Sequence, residues 1–380
     1  MSRSGILLGA LAGSVLAGAG ALALGANALA ERTVRVRRHP PYRHRLLKVD
    51  GDQLVFARDR ATELPGTYGV AWPGGHAVTG DVVKRDASTV TRRLERVQSG
   101  TLLAGKVALD HIDVGDPLSA FGLDFEHVAI DSPLGPMPAW VVPGARRDAW
   151  VLLAHGYGGS LASALSFLPL LHRIGCTCLV VGYRNDPGAP ASPDRRYHLG
   201  ASEWQEVDAA LTFAAEQGAA AACLFGWSMG GAIVLGALER AKRRDLVTSL
   251  VLDSPVLDWR AVIHHVGRST RAPRPLVTLV LSLIERKIDA PLSELDWLSR
   301  PSVIDVPVLC FHGELDELVP CELSKRLGAA LSSTVELIID PRAGHVGSFN
   351  VDPLSYEARL AAFVARTLLE PADERAGEID

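Results

Sequence analysis

The sequence predicts an α/β fold with a mostly parallel, twisted sheet that is flanked by helices. From about residue 125 onward, short apolar runs alternate with helical patterns, and this spacing implies right-handed crossovers between parallel strands. Runs such as 150–154 are short and continuously apolar, as buried strands are. Several candidate functional side chains follow directly after such runs, where parallel sheets bind their ligands.

The elements can be placed in chain order. A hairpin comes first, because residues 126–131 and 137–142 flank the turn sequence Ser132-Pro133-Leu134-Gly135. Strands are then predicted at 150–154, 176–181, 222–225, 247–252, 308–311 and 335–339, and helices near 162–174, 202–217, 229–243, 321–331 and 353–369.

The region before the hairpin has a different composition. Residues 49–122 alternate apolar and polar residues between turn signals, which predicts a small β-rich region packed on the α/β core. It could cover a sheet edge or gate substrate access, and both readings stay open. The complete predicted division is 1–30 as a membrane anchor or signal segment, 31–48 as a basic linker, 49–122 as the β-rich region, 123–370 as the α/β domain and 371–380 as a flexible tail.

The most informative motif is Gly226-Trp227-Ser228-Met229-Gly230, which stands between the strand ending at Phe225 and a predicted helix. A serine between two glycines at a strand-to-helix turn is typical of a nucleophile elbow. The glycines allow the close backbone approach that this strained turn requires. The motif is weak by itself, so its interpretation depends on the rest of the chain.

Two further residues complete a candidate catalytic set. Asp316 and His345 follow the apolar runs 308–311 and 335–339, so the chain order is Ser, Asp, His. An imidazole that titrates near neutrality can take the proton of Ser228 and return it to a leaving group. Asp316 would orient that imidazole. Asp253, just after the run 247–252, is a rival for this role.

With these motifs and His155-Gly156-Tyr157-Gly158-Gly159 after the run 150–154, the chain resembles the α/β-hydrolase family over about residues 125–370. The resemblance implies a serine hydrolase in which Ser228 is the nucleophile. Met229 offers its backbone N–H to an oxyanion because it begins a helix. The resemblance implies that the N–H of Tyr157 is the second donor, within a loop near the site that includes His155, Gly156 and Gly158. The same loop could also be merely a tight strand-to-helix turn.

Residues 255–300 are a candidate lid. The run 276–288 within them is very apolar and helical in pattern, as a lid for acyl chains would be, although an ordinary covering helix fits the pattern equally. His264 and His265 are adjacent, so on a helix they point in different directions and do not indicate a metal site. No cofactor and no metal are expected.

The N-terminus predicts membrane attachment. Residues 5–30 carry no charge, and as a helix they would span about 39 Å, more than the roughly 30 Å of a hydrocarbon core. Only Arg3 precedes this segment, whereas six arginines and a lysine follow within residues 32–48. That asymmetry places the catalytic domain on the cytoplasmic side and provides a basic strip for anionic lipid. A cleaved signal peptide, and hence secretion, is the alternative.

Composition excludes some functions. The net charge of −4 and the absence of recognition motifs give no indication of nucleic-acid binding. Five cysteines without regular spacing do not form a disulfide framework. The abundance of Ala and Arg suggests a high-GC bacterial source.

The function expected from these features is hydrolysis of carboxylic esters, with a small acyl ester or lipid-like molecule as substrate. Peptidase and thioesterase activities of the same fold, and a non-catalytic membrane-anchored scaffold, are the alternatives. The oligomeric state is left open.

Overall fold

The computed structural model describes residues 22–37 and 41–370. Within them the chain forms a closed barrel of antiparallel strands, followed by an eight-stranded sheet with helices on both faces. The barrel precedes the sheet in sequence and packs beside the loops at one end of it.

The barrel is made of six strands in the order β1-β2-β5-β4-β3-β6, with β6 pairing back onto β1. Its strands are β1 His44–Asp50, β2 Gln53–Ala57, β3 Tyr68–Trp72, β4 Gly75–Arg85, β5 Thr89–Ser99 and β6 Gly105–Asp110. Apolar side chains from the strands, including Leu46, Phe56 and Val70, fill its interior. The β-rich prediction for residues 49–122 fits this barrel, which begins five residues earlier than predicted, at His44.

One charged side chain lies inside the barrel end that faces the sheet. Arg92 of β5 is fully buried and donates hydrogen bonds to the backbone carbonyls of Gly80, Thr62, Leu64 and Gly66. Its guanidinium carbon lies 5.2 Å from the centroid of the Tyr68 ring. Arg92 therefore holds the loop between β2 and β3 in shape.

The large sheet is mixed, with order β14-β13-β12-β11-β9-β10-β8-β7. Its strands are β7 Glu126–Ser132, β8 Gly135–Val142, β9 Arg146–Ala154, β10 Cys176–Val181, β11 Ala221–Trp227, β12 Val247–Asp253, β13 Val308–Gly313 and β14 Val335–Asp340. Strands β9 to β14 run parallel, whereas β7 and β8 form the predicted antiparallel hairpin at one edge. The mostly parallel sheet predicted from the sequence is thus confirmed.

Helices cover both faces of this sheet. They are α1 22–34, α2 Pro117–Phe121, α3 Leu168–Arg173, α4 Trp204–Glu216, α5 Met229–Arg240, α6 Trp259–Ser269, α7 Arg274–Ile288, α8 Glu322–Ala330, α9 Ser348–Val351 and α10 Pro353–Val364. Helices α4, α5 and α7 pack into one hydrophobic core, and α3 and α10 pack into the other. Helices α6 and α7 lie in the region predicted as a lid, and α7 matches the apolar run at 276–288.

The first described segment packs on the α/β domain. On α1, Ala26, Ala30 and Val34 are fully buried in the larger core. The Glu31 carboxylate pairs with Arg196 at 3.0 Å and with Lys287 of α7 at 2.9 Å. The stretch predicted as a basic linker, 31–48, therefore differs from that expectation, because it contains the end of a docked helix and the beginning of β1.

The predicted membrane segment, residues 1–30, lies mostly outside the described residues, as does the predicted tail, 371–380. Within residues 22–37 and 41–370, every helix is too short or too polar to cross a bilayer.

The five cysteines are free thiols. Cys176 and Cys178 in β10, Cys223 in β11 and Cys310 in β13 are buried, whereas Cys321 before α8 is half-buried. Burial raises the pKa of Cys176, Cys223 and Cys310 to about 12 and that of Cys178 well above its ordinary value.

Candidate active site

Ser228 stands at the sharp turn between β11 and α5. Its backbone has φ 55° and ψ −121°, a region that non-glycine residues adopt only where the surrounding structure enforces it. The flanking glycines make the turn possible. A Cβ on Gly226 would lie 2.4 Å from the carbonyl oxygen of Gly230, and one on Gly230 would lie 2.1 Å from that of Ala154.

The structure brings Ser228, His345 and Asp316 into one hydrogen-bonded chain. Nε2 of His345 lies 2.9 Å from the hydroxyl oxygen of Ser228, and Nδ1 lies 2.7 Å from Oδ2 of Asp316. A carboxylate only accepts hydrogen bonds, so Nδ1 carries the proton and Nε2 is free to accept the hydroxyl proton. This is the arrangement that a serine nucleophile and its base require.

Asp316 is fixed from several directions. Its Oδ1 accepts hydrogen bonds from the backbone N–H groups of Leu318 and Val319, at 2.8 and 2.9 Å. Nε2 of the buried His312 lies 3.3 Å from Oδ2. Burial would raise the pKa of Asp316, but His345 and His312 outweigh that effect and hold it well below its ordinary value. The carboxylate is therefore ionised and pre-oriented toward His345.

The pKa of His345 is set by burial and by its contact with Asp316. Burial disfavours the imidazolium, yet the Asp316 carboxylate more than compensates and raises the pKa of His345 above its ordinary value. The side chain remains 21% exposed. An imidazole held this way is a stronger base than a free one and can still meet a substrate.

The rival acid Asp253 is engaged elsewhere. Its carboxylate accepts hydrogen bonds from the hydroxyls of Tyr356 and Ser254, both at 3.1 Å. Burial raises the pKa of Asp253 to about 6 despite these bonds. Its backbone carbonyl accepts from the N–H of Ser228 at 2.9 Å. Asp253 therefore supports the elbow, whereas Asp316 is the carboxylate hydrogen-bonded to His345.

One predicted oxyanion donor, Met229, follows Ser228 in the chain, and the other, Tyr157, follows Gly156, which lies against Ser228. Met229 is the first residue of α5, and the N–H groups of a first helical turn have no partner inside their helix. Gly156 approaches Ser228 so closely that a Cβ on it would lie 2.9 Å from the Ser228 Cβ. Tyr157 follows Gly156 directly, which puts its backbone N–H at the same turn.

The Tyr157 phenol points to the N-terminal segment. Its hydroxyl donates hydrogen bonds to the backbone carbonyls of Arg35 and Arg32. The Arg37 guanidinium carbon lies 5.2 Å from the centroid of the Tyr157 ring. A Cβ on Gly158 would lie 3.5 Å from the Arg37 Cβ. The loop that carries a predicted oxyanion donor is thus in contact with residues 32–37.

The side chain of His155 is held by Asp186 and Tyr183. It is buried, its Nε2 lies 2.8 Å from Oδ2 of Asp186, and its ring stacks on Tyr183 with centroids 4.3 Å apart. Burial opposes protonation, but Asp186 outweighs it and raises the pKa of His155. His155 therefore anchors the loop to Asp186 and Tyr183, while Gly156 lies against Ser228.

The barrel loop between β2 and β3 contacts the loop that carries His345. A Cβ on Gly344 would lie 2.7 Å from Cδ1 of Leu64. The N–H of Thr67 donates to the Asn350 carbonyl at 2.9 Å, and the Asn350 amide donates to the Thr67 carbonyl at 2.6 Å. The barrel thereby forms part of the surroundings of His345.

Several of these residues escaped the sequence interpretation. Asp186 could have been noticed, because it lies shortly after β10 at the same carboxyl edge of the sheet. Leu64 had no local signal of a role, and Arg37 was interpreted only as part of the basic strip that follows the apolar N-terminal segment. His264 and His265 lie on α6, and among the described residues no group of three metal-ligating side chains could hold an ion.

Comparison with known proteins supports the fold. Residues 194–370 match the prolyl oligopeptidase family, and residues 45–110 match a domain of unknown function, DUF8805. An esterase of Pyrococcus furiosus superposes with a TM-score of 0.55 at 19% identity, over 67% of this chain and 95% of the esterase. A puromycin-hydrolyzing peptidase of Mycobacterium tuberculosis superposes with a TM-score of 0.52 at 19% identity, over 85% of this chain and 47% of the peptidase.

Two curated relatives, both uncharacterized, match part of this chain. An uncharacterized protein of Mycobacterium tuberculosis is 27% identical over 51% of this chain, and the chain spans 62% of that relative's length. The uncharacterized protein YfhR of Escherichia coli is 21% identical over 63% of this chain and 78% of its own length. The superposed esterase and peptidase structures show that the chain has the α/β-hydrolase fold.

Proposed function

We propose that this α/β-hydrolase-fold protein is a serine hydrolase that cleaves carboxylic esters through an acyl-enzyme intermediate. The observation that carries the proposal is the hydrogen-bonded chain from Ser228 through His345 to Asp316, built on a strained elbow. A fold can host many functions, so the site is the basis of the proposal.

In the first half-reaction, the Ser228 oxygen attacks the ester carbonyl while Nε2 of His345 takes the hydroxyl proton. The tetrahedral oxyanion accepts hydrogen bonds from the backbone N–H groups of Met229 and Tyr157. His345 then gives its proton to the leaving alkoxide, and the alcohol departs. The products are an acyl-Ser228 ester and a neutral His345, with Asp316 stabilising the imidazolium in between.

In the second half-reaction, water replaces the alcohol. His345 removes a proton from water as the oxygen attacks the acyl-enzyme, and it returns that proton to Ser228 when the intermediate collapses. The sum is ester plus water giving carboxylic acid plus alcohol, with the enzyme regenerated.

An ester is favoured over a large peptide by the N-terminal architecture. Prolyl oligopeptidase-like peptidases, which this chain resembles in its catalytic half, usually carry a large β-propeller before the catalytic domain. Here the corresponding position holds a six-stranded barrel, which is far smaller than a propeller of several four-stranded blades.

A peptidase is the second candidate. The match of residues 194–370 to the prolyl oligopeptidase family favours it, as does the fold shared with a puromycin-hydrolyzing peptidase. Ester and amide hydrolysis use the same nucleophile and base, so the two candidates differ in the pocket and in how well His345 protonates an amine leaving group.

The test begins with a fluorophosphonate probe, which labels only an activated serine. We expect labelling of the wild type, loss of labelling in Ser228→Ala and His345→Ala, and slower labelling in Asp316→Asn. Ser299→Ala, which removes an exposed serine, is the matched control and should label like wild type. Initial rates on 4-nitrophenyl esters and on aminoacyl 4-nitroanilides then separate esterase from peptidase.

Two outcomes contradict the proposal. Folded wild-type protein that stays unlabelled, with and without detergent, would favour a non-catalytic scaffold. Labelling combined with a kcat/KM for amides above that for esters would transfer the assignment to a peptidase.

A further inference from the structure

Three arginines of the N-terminal segment contact the loop that carries the Tyr157 oxyanion donor, and a fourth lies near them. Arg37 lies over the Tyr157 ring, and the backbone carbonyls of Arg32 and Arg35 accept hydrogen bonds from its hydroxyl. Arg43, just before β1, has its pKa lowered by burial and by the positive charges of the nearby Arg37 and Arg32. We call these residues, Arg32, Arg35, Arg37 and Arg43, the arginine cluster.

The positive charge of the arginine cluster is not neutralised by the described part of the chain. No described carboxylate forms an ion pair with any of its members, although ion pairs are common elsewhere on the surface. Glu31, the carboxylate nearest in sequence, is already shared between Arg196 and Lys287. The protein as a whole has a net charge of −4, so this concentration of positive charge is local.

The cluster is also close to the nucleophile. Gly156 lies against Ser228, and Gly158 lies against Arg37. The Cα atoms of Gly156 and Gly158 are at most about 7.6 Å apart, because each peptide step is 3.8 Å. A substrate bound at Ser228 therefore has Arg37, the member of the arginine cluster that contacts Gly158, within the reach of a short chain of atoms.

We propose that the arginine cluster binds a negatively charged group, a carboxylate or a phosphate, on the ester that Ser228 cleaves. This inference rests on the proposed function and names its substrate class: acidic esters. Guanidinium groups suit such oxyanions because several N–H donors can face them at once. Arg32, Arg35 and Arg43 are exposed, so they are free to form these bonds.

An anionic membrane surface is the competing occupant. The substrate is favoured because the cluster is seated on the oxyanion loop itself, through the Tyr157 hydroxyl and the Arg37 cation–π contact. The segment that carries Arg32, Arg35 and Arg37 is also fixed to the α/β domain, because the Tyr197 N–H donates a hydrogen bond to the carbonyl of Val34 at 2.8 Å. Positive charge fixed beside the Tyr157 loop therefore interacts with the substrate that binds at Ser228.

The experiment compares two soluble esters that differ by one charge, 4-nitrophenyl hydrogen adipate and 4-nitrophenyl methyl adipate. In the wild type at low salt, kcat/KM should favour the anionic ester by roughly tenfold or more, and the preference should fall as salt screens the charges. Arg37→Gln and the double variant Arg32→Gln/Arg43→Gln should each lower the preference by roughly threefold to tenfold. Arg37→Lys should keep most of it.

The matched control is Arg326→Gln, which removes an exposed arginine from α8 and should leave the preference unchanged. A loss of the Arg37 contact to Tyr157 could slow both esters equally, but the ratio of the two rates is insensitive to that. The same variants are measured with acetate esters of 4-hydroxybenzoic acid and its methyl ester, which place the charge on the alcohol side.

The outcomes separate the two hypotheses. Hydrolysis of both esters with no charge preference, or with a preference that the arginine variants keep, overturns this inference and leaves the serine hydrolase intact. Hydrolysis of neither ester, without probe labelling, contradicts the proposed function instead. Unchanged ester preference combined with weaker binding of the variants to phosphatidylglycerol vesicles would assign the cluster to the membrane.

Discussion

Replacing Arg92 tests how the barrel contributes to the candidate active site. In the folded protein its guanidinium donates to four backbone carbonyls. The variant Arg92→Met retains the length of the side chain and fills the space, but leaves these carbonyls without their donor. Because the carbonyls of Thr62, Leu64 and Gly66 belong to the loop between β2 and β3, the variant also frees that loop.

The magnitude follows from burial. The bonds to Gly80 and Thr62 are buried, whereas those to Leu64 and Gly66 are partly accessible to water. A buried acceptor left unsatisfied costs about 1–3 kcal/mol. Two such acceptors give roughly 2–6 kcal/mol of lost unfolding free energy, and water can replace the donor at the other two.

The assay is urea denaturation followed by far-ultraviolet circular dichroism, with kcat/KM measured where the variant is fully folded. Arg93→Met is the control, because Arg93 is the exposed neighbour on the same strand. We also expect slower turnover in Arg92→Met, since Leu64 packs against Gly344 beside His345. Equal unfolding free energies for the Arg92 and Arg93 variants, within about 0.5 kcal/mol, would refute the reasoning.

Three further predictions concern the site. His345 must be neutral to act as base and its pKa is raised by Asp316, so kcat/KM should fall with decreasing pH around a midpoint above about 6.5. In Asp316→Asn the midpoint of the residual activity should move to lower pH. A midpoint that does not move would contradict the assignment of Asp316 as the partner of His345. Gly230→Ala should lower the melting temperature markedly and abolish activity, because its Cβ would lie 2.1 Å from the last carbonyl oxygen of β9; Gly105→Ala, with open space at that position, should change neither. Tyr157→Phe should cost about 1 kcal/mol of local stability, seen as faster hydrogen exchange in residues 32–37, and unchanged exchange would show that the phenol does not hold that segment.

The sequence predicted the parts of the molecule that local patterns encode. Strands β9 to β14 are short apolar runs, and Ser228, Asp316 and His345 each lie after one of them. In a parallel sheet those strand ends share one edge, so their proximity follows from the order of elements. The elbow was predictable for the same reason, since its glycines lie next to the serine.

Long-range partners were beyond the sequence. The segment 31–48 is rich in arginine, which reads as a solvated linker, yet Val34 is buried and Tyr157 binds its backbone. Closure of the barrel depends on β6 pairing with β1, about sixty residues away. Arg92 stands in a strand pattern where a charged residue normally faces water, and only the carbonyls around it explain its burial.

Because four of its five cysteines are buried, the reaction of the protein with thiol reagents reports on its unfolding. In the folded chain only Cys321 is open to a thiol reagent, whereas the other four are shielded and protonated inside the sheet. Disulfide-exchange reagents should therefore consume one thiol quickly and the rest only as strands separate. Strands β10, β11 and β13 each carry their own thiols. The order in which these thiols are modified would therefore show the order in which the strands separate, without any introduced label.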